Sequence, residues 1–496
     1  MIYSFHHFYY WLKGGVESGM AYRARLFREL GLDAKFVFAT TFPNANIQHE
    51  TEFLGFLDDE VIWLYGFFTD CKISPVTYTL EQFERSCISG EYTISRDKGF
   101  IVYSFPNGSR YQVYLAEGQK DCVHRVEMIS GGCLMRKDYY TYCRIYSEYY
   151  TPVNGQAHLY LRRFFNEDGS VAYEEVMSKE AQEDDVVLYK FPDRLLYSRE
   201  ELVEYMMSCL RLTKDDVVLI DAEPGKIDRA AFIQNAAPAR VGMILHADHY
   251  LNCGEDYIQW YWIYEYAFAH TEKIDFFATS TQIQSKLLQE QLKKFKGADA
   301  RVETIPVVGL EKLRKPEKAR RKHSLISVGR LAPEKRMNWV IEAVVRARTH
   351  VPDLTLDIYG EGGDKGKLQR QIEELGCAGC VRLCGFQKLD DIYQSYDAYI
   401  SGSWTETFGV TLLEAVGSGL PIIGFDVPYG AQVFVDEGEN GYKLPWGDIQ
   451  GLADAVVRLF TEADIEAFRR HSYQKAGLYL TEEIKKQWRN ILIQTE

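Results

Sequence analysis

Two cations and two carboxylates stand out for the chemistry that their spacing allows. In HSLISVGRLAPEKRMNW, Arg330 and Lys335 follow an apolar run. Cations at the carboxyl end of a strand can neutralise a diphosphate leaving group without a metal. In SWTETFGVTLLEAVGSGLP, Glu406 and Glu414 stand around a Phe408-Gly409 turn that reads as the link from a strand ending near Glu406 to a buried helix starting at Val410. The first amides of such a helix favour a phosphate by about 1 kcal/mol. Glu414, inside the helix and about two turns beyond Glu406, is placed to accept both hydroxyls of a ribose.

Other segments add contacts of the same kind. DIYGEGGDKGKL sets Gly360, Gly362 and Gly363 between a strand and a helix, where bare backbone can approach a phosphate or base. LCGFQKLDDIY puts Gly385, Phe386 and Gln387 at the same edge, suited to holding a planar base. KGGVESGMAYRARLF places Gly14 and Gly15 where an opening strand yields to a helix. LHADHY ends a strand with His246 and His249. Each segment alone has an ordinary reading: a solvated basic turn, a glycine turn, a core phenylalanine, a satisfied core histidine. Their joint occurrence at strand ends is what points to a site.

The elements that must position these residues alternate from residue 201 onward. DVVLIDAE, RVGMILHADH, DFFATST, HSLISVGRL, LTLDIYGEG, VRLCGF, AYISGSW and LPIIGFD are short apolar runs separated by helical periodicity. Such alternation means parallel sheets covered by helices on both faces. Residues 56–200 alternate by two instead, with hairpin punctuation at Pro106-Asn107-Gly108 and at Asn166 to Gly169, which predicts an inserted antiparallel meander. Its tyrosine-rich KDYYTYCRIYSEYY either serves a partner or packs the meander on its host. PVVGLEKLRKPEKARRK reads as a linker between two α/β domains. The expected division is a first Rossmann-like domain from 1–55 and 201–310, the insert at 56–200, a second Rossmann-like domain at 311–474, and a C-terminal helix at 475–496 packing back on the first domain. Two such domains face each other across a cleft at the carboxyl ends of their strands.

Bulk properties set the limits. At 496 residues, 46% hydrophobic and 14% aromatic, the chain can bury several cores. A formal charge of −14 disfavours nucleic acid as a partner. Ten scattered cysteines and the absence of a secretory pattern in MIYSFHHFYYWLKGG indicate a reducing, cytoplasmic setting. Cys377 and Cys380 read as buried thiols of a helix-to-strand loop rather than as a metal half-site.

GRLAPEK, DIYGEG, the Gly385 loop and ETFGVTLLEAVGSGLPIIGFD resemble, in order and spacing, the retaining glycosyltransferases of the two-Rossmann (GT-B) type that share a Glu-x7-Glu motif (family 4). Over nearly the whole chain, GVESGMAYRARLFRELGLDAKFVF, NIQHETEFLGF, VIWLYGFFTDCKISP, LHADHY, DFFATST and GLPIIGFDVPYGAQVFVDEGENGY look like the GtfA family. Its members put the first N-acetylglucosamine on serine-rich repeat adhesins, carry an inserted β domain, and work with a catalytically inactive GtfB subunit. The resemblance implies UDP-N-acetylglucosamine as donor, a Ser/Thr-rich protein acceptor, a GtfB-like partner, no cofactor and no metal; the absence of an Asp-x-Asp agrees with the last. It also allows peripheral contact with the inner face of the membrane.

By position, the resemblance assigns Gly15, Val16, Glu17 and Ser18 to the N-terminal nucleotide-sugar loop, and Arg330 with Lys335 to the diphosphate clamp. Phe386 and Gln387 fall on the uridine loop, Glu406, Thr407, Phe408 and Gly409 on the sugar and phosphate contacts, and Glu414 on the ribose carboxylate. His246 or His249 matches the histidine that touches the transferred sugar, His246 being favoured. Thr407 stands where relatives often have Gly, and Gly14 where they often have Ser. Two other functions fit parts of the pattern: a cousin that decorates polyol-phosphate wall polymers, and a non-catalytic GtfB-like subunit. The presence together of Arg330, Lys335, Glu406 and Glu414 speaks against the latter.

Overall fold

The computed structural model describes residues 1–6, 15–42, 45–97, 99–178, 185–221 and 229–493. The chain forms two compact units, one of Met1–Ile244 with Trp260–Phe276, the other of Leu245–Gln259 with Phe277–Glu496.

In the first unit five parallel strands lie in the order Arg240–Leu245, Val217–Asp221, Ile2–His6, Ala34–Phe38 and Val61–Trp63. These are the near-continuous apolar runs that a sheet covered on both faces requires. Val61–Trp63 falls inside the span expected to be antiparallel, yet it pairs in parallel with Ala34–Phe38. Val61 and Trp63 are both buried, which a strand of the covered sheet requires.

The insert is a meander of ten strands from Thr93–Asp97 to Leu195–Leu196, each hydrogen-bonded to its sequence neighbours. The two expected hairpins close as read, Gly108 donating to Phe105 and Gly169 to Asn166. The tyrosines of the 137–150 segment decide between their two readings by packing. Tyr139 stacks on Tyr146 at 4.1 Å, Tyr146 on Phe164 at 5.4 Å, Phe164 on Tyr173 at 4.5 Å and Tyr173 on Phe191 at 4.8 Å. Trp63 and Tyr65 sit against Phe164, and the Tyr173 hydroxyl donates to the Tyr65 carbonyl. This ladder roots the meander on the parallel sheet; at about 0.5–1.5 kcal/mol per ring pair beyond burial, it is a substantial anchor.

The second unit holds six parallel strands in the order Val381–Gly385, Thr355–Tyr359, Ser324–Val328, Ala398–Ile400, Ile422–Phe425 and Gly441–Leu444. Strand order reverses between Ser324–Val328 and Ala398–Ile400, and ligands of such sheets bind where the chain leaves the carboxyl ends at that point. The segments that leave there are Gly329 to Lys335 and Ser401 to Gly409. The strand leading to Glu406 ends at Ile400, earlier than its sequence suggests, because Trp404 and Glu406 bond outside the sheet, to the carbonyls of Glu334 and Pro428. The expected linker is tied down rather than loose: Arg320 donates to the carbonyls of Gln394, Tyr396 and Ser418. The C-terminal helix Thr481–Leu492 belongs to the second unit, its first residue bonded to Leu310 and Glu311.

Asp357 fixes the centre of this sheet. Burial pushes its carboxyl up, but hydrogen bonds from Arg382, Tyr396 and Arg321 overrule burial and hold it at about 2. A folded-state value below that of the free side chain stabilises the fold above pH 4, and this is lost as pH falls toward 2, roughly 2 kcal/mol in all. Asp357→Asn is expected to lower Tm at neutral pH and to flatten the acid dependence of unfolding between pH 4 and 2, measured by circular dichroism.

Candidate active site

The site is built from the two segments that leave the switch point. After Ser324–Val328 the chain passes Gly329 and Arg330 and makes one 3-10 turn, Pro333–Lys335, before the helix Met337–Ala347. That turn presents Lys335, whose Nζ lies 2.6 Å from Glu406 Oε1. Both side chains are mostly buried, 19% and 12% exposed, so loss of either partner leaves the other desolvated and unpaired, a larger cost than at a surface bridge. The same Glu406 oxygen accepts from Ser403 Oγ at 2.7 Å. The Glu406 backbone is also held, donating to the Pro428 carbonyl and accepting from Tyr429 and Gly430.

Beyond Glu406, Gly409 caps the helix Val410–Gly417 with φ of 84°, a left-handed conformation open mainly to glycine. The first amides of the helix have no side-chain cap from Gly409 and lie at the switch point. Phe408 points the other way. It is 4% exposed and packs on Phe434 and Tyr479, so its contribution is limited to backbone. Glu414 accepts from the Tyr393 hydroxyl at 2.8 Å, and burial pushes its carboxyl up.

Two glycine-bearing loops complete this edge. Gly360 has φ of 138°, and a Cβ there meets the Gly329 carbonyl at 1.9 Å, so only glycine lets these loops touch. Gly360 in turn donates to the Gly385 carbonyl. The next residue, Phe386, is 77% exposed, which removes the core reading and leaves an open aromatic face beside Gly385. Gln387 donates to the Cys384 carbonyl at 3.0 Å.

The histidines separate. His249 is fully buried, with Nε2 2.7 Å from Gln291 Oε1, and burial pushes its imidazole down to about 4 despite that bond. These are the surroundings of a core histidine, and His246 stays the favoured candidate for the sugar contact. His246 is half-buried at the end of Arg240–Leu245. Between them, Asp248 accepts from Thr405 Oγ1 at 3.2 Å and from the Tyr429 side chain, while burial pushes its carboxyl up. Asp248 thus lies beside the Glu406 segment, a placement missed in the sequence although a carboxylate at a buried strand's end was the signal. Ser403 and Tyr393, which hold the two glutamates, had no local signal.

Arg330 is 62% exposed and pairs with Glu334 at 2.9 Å rather than with Glu406. Gly15, Val16 and Glu17 open the helix Gly15–Glu29, but their side chains, like all of Gly14, lie outside the described residues. Ser18 is exposed in that helix. Among the described residues, one group of three potential metal ligands occurs, Asp436, Glu439 and His471, and it includes none of the residues above. Cys377 and Cys380 each direct their thiols at a backbone carbonyl.

Comparison with known proteins identifies the family. Residues 93–193 match the family model of the GtfA extended beta-sheet domain, and residues 322–462 that of group 1 glycosyl transferases. The UDP-N-acetylglucosamine–peptide N-acetylglucosaminyltransferase GtfA subunit of Streptococcus gordonii is 43% identical over 493 residues, 97% of this chain and 96% of that one. The chain belongs to the GtfA family. The solved GtfA/B complex superposes with a TM-score of 0.93 at 40% identity, covering 99% of this chain and 98% of the other. The pneumococcal O-GlcNAc transferase GtfA in complex with UDP and GlcNAc gives 0.90 at 37% identity, covering 99% and 98%. The GtfA resemblance and the GT-B fold with its inserted β domain, both read from the sequence, are therefore borne out.

The two histidines make opposite predictions. Between pH 6.5 and 4 the unfolded chain protonates His249's imidazole and the folded one does not, so acid costs about 3 kcal/mol of stability through this group. His249→Leu should lose that slope and shift Tm, while leaving kcat within about threefold. His246→Ala should keep Tm and lower kcat by roughly tenfold or more. Thermal melts and donor-turnover assays on both variants check this.

Proposed function

We propose that this protein transfers N-acetylglucosamine from UDP-N-acetylglucosamine to Ser/Thr hydroxyls of a serine-rich repeat surface protein, together with a GtfB-like subunit. Membership of the GtfA family supports the donor, the peptide acceptor and the partner. The observation that carries the chemistry is the Lys335–Glu406 pair beside the free N-terminus of Val410–Gly417. A cation and outward amides at one point are what a departing diphosphate needs.

In this reading the bond from the anomeric carbon to UDP breaks with retention. Lys335, Arg330 and the amides following Gly409 take up the charge that develops on the diphosphate. Arg330 leaves Glu334 to do so, which its exposure permits. Glu406 holds Lys335 in place and faces the sugar, with Thr407 alongside. Glu414, oriented by Tyr393, accepts the ribose hydroxyls, and Phe386 with Gln387 flanks the uracil. Gly15, Val16, Glu17 and Ser18 are assigned to the N-terminal nucleotide-sugar loop, and His246 is the histidine that touches the sugar. The acceptor hydroxyl attacks from the face that UDP leaves, a phosphate oxygen taking its proton, so no side chain becomes a covalent nucleophile. The cation clamp makes the reaction metal-independent. No described helix is long and apolar enough to cross a membrane, and peripheral contact with the inner membrane face belongs to the same reading. The domain division drawn from the sequence, including the C-terminal helix that returns to the first domain, belongs to this reading.

Lys335→Ala and Glu406→Ala are each expected to reduce UDP-N-acetylglucosamine hydrolysis and transfer to a Ser/Thr-rich peptide by roughly 100-fold or more. Wild-type-like rates in both variants sink the clamp, and transfer to teichoic acid in place of the peptide overturns the acceptor. Activity should persist in EDTA; strict dependence on an added divalent cation contradicts metal independence.

A further inference from the structure

Away from the candidate site, two of the ten free cysteines stand together. The Cys71 and Cys143 sulfurs lie 3.8 Å apart although 72 residues separate them in sequence. Cys71 sits in the irregular segment that follows Val61–Trp63, and Cys143 in the turn between Cys133–Tyr140 and Arg144–Val153.

The residues around both thiols are fixed by bonds between these same segments. The Lys72 amide donates to the Tyr142 hydroxyl at 2.8 Å, which donates to Glu167 at 2.5 Å. Asp70 accepts from the Glu167 amide at 2.7 Å, and the amides of Thr77 and Tyr78 both donate to the Thr141 carbonyl. The sulfur contact is therefore set by backbone placement on both sides, not by the reach of one side chain. A disulfide needs the sulfurs at about 2 Å, a closure of less than a bond's length beyond what the structure holds. The two thiols are also unlike. The contact with Cys71 lowers Cys143 against burial and the nearby Glu167 and Asp70 carboxylates, while the same contact and burial raise Cys71. Cys71 Sγ also donates to the Phe165 carbonyl at 3.3 Å, which holds the proton on Cys71 and leaves Cys143 as the nucleophile.

We propose that Cys71 and Cys143 form a reversible thiol–disulfide site oxidised by hydroperoxides, whose closure staples the segment after Val61–Trp63 to the inserted β domain. The Cys143 thiolate attacks one oxygen of hydrogen peroxide, the O–O bond breaks, and hydroxide leaves as Cys143 becomes a sulfenic acid. The Cys71 sulfur then attacks the Cys143 sulfur, the S–O bond breaks, and water departs with the Cys71 proton. Two thiols are oxidised to one disulfide and one peroxide is reduced to two waters. Cys71, Lys72 and Ile73 form one wall of a cavity of about 450 Å³, and Thr141 and Ile145 another, so the disulfide locks two walls of that cavity together. A reducing compartment keeps the pair open until peroxide rises.

Peptide mapping of the full chain without reductant, after hydrogen peroxide and alkylation, tests this. Expected is a Cys71–Cys143 linked peptide, lighter by two hydrogens, at least about tenfold more abundant than any link through the exposed Cys209 or Cys253, and removed by dithiothreitol. Oxidation should raise Tm in the wild type and not in Cys71→Ser. Dimedone should trap a sulfenic acid at Cys143 in Cys71→Ser, and Cys71 should stay reduced in Cys143→Ser. Free, alkylatable Cys71 and Cys143 under peroxide that oxidises Cys209 and Cys253 overturns the proposal, as does trapping at Cys71 in place of Cys143.

Discussion

The site depends on one mostly buried ion pair. Lys335 and Glu406 meet at 2.6 Å, and such a pair is stable only when both partners arrive in register with their remaining bonds satisfied. The structure provides this from three sides. Parallel pairing sets Leu325 opposite Ala398 and Ile326 opposite Tyr399, which aligns the two departing segments. Trp404 bonds the carbonyl of Glu334, next to Lys335, and Ser403 takes up the oxygen that Lys335 also holds. Loss of either charge leaves the other partly buried and unpaired, which makes the pair a constraint on everything near it.

From that point the electrostatics run in one direction. Helix amides opened by Gly409 and the Lys335 ammonium supply positive potential at the switch point. The carboxylates are spread around it, each with its own partner: Glu406 with Lys335, Glu414 with Tyr393, Asp248 with Thr405. Cation and amides therefore gather at one point, with the acids held apart by partners of their own. The inserted domain is joined to its host by a different kind of force, a ladder of stacked rings from Tyr139 to Phe191, with no formal charge required.

Much of this was legible in the sequence, and the reasons differ by element. Apolar runs at fixed intervals identified the parallel strands of both units, because a sheet covered on two faces admits little else. Turn residues such as Asn107-Gly108 placed the meander's hairpins. Where the reading slipped, competing contacts had won: Val61–Trp63 joined the parallel sheet because its side chains are buried there, and the strand before Glu406 stopped at Ile400 because backbone bonding left the sheet. The charged stretch at 306–322 looked like a linker, yet Arg320 reaches three carbonyls distant in sequence.

The amino-acid sequence by itself determined the fold class, the family, and which residue types stand at strand ends, since periodicity and motif spacing are local properties of the chain. Tertiary structure alone decided which of them can act together. It separated His246 from His249 by burying one against Gln291, turned Phe408 into the core and Phe386 out of it, brought Asp248 to Thr405, and drew Ser403 and Tyr393 to the acids they support. Those outcomes depend on contacts between segments far apart in the chain, and no local pattern encodes the distance across which they meet.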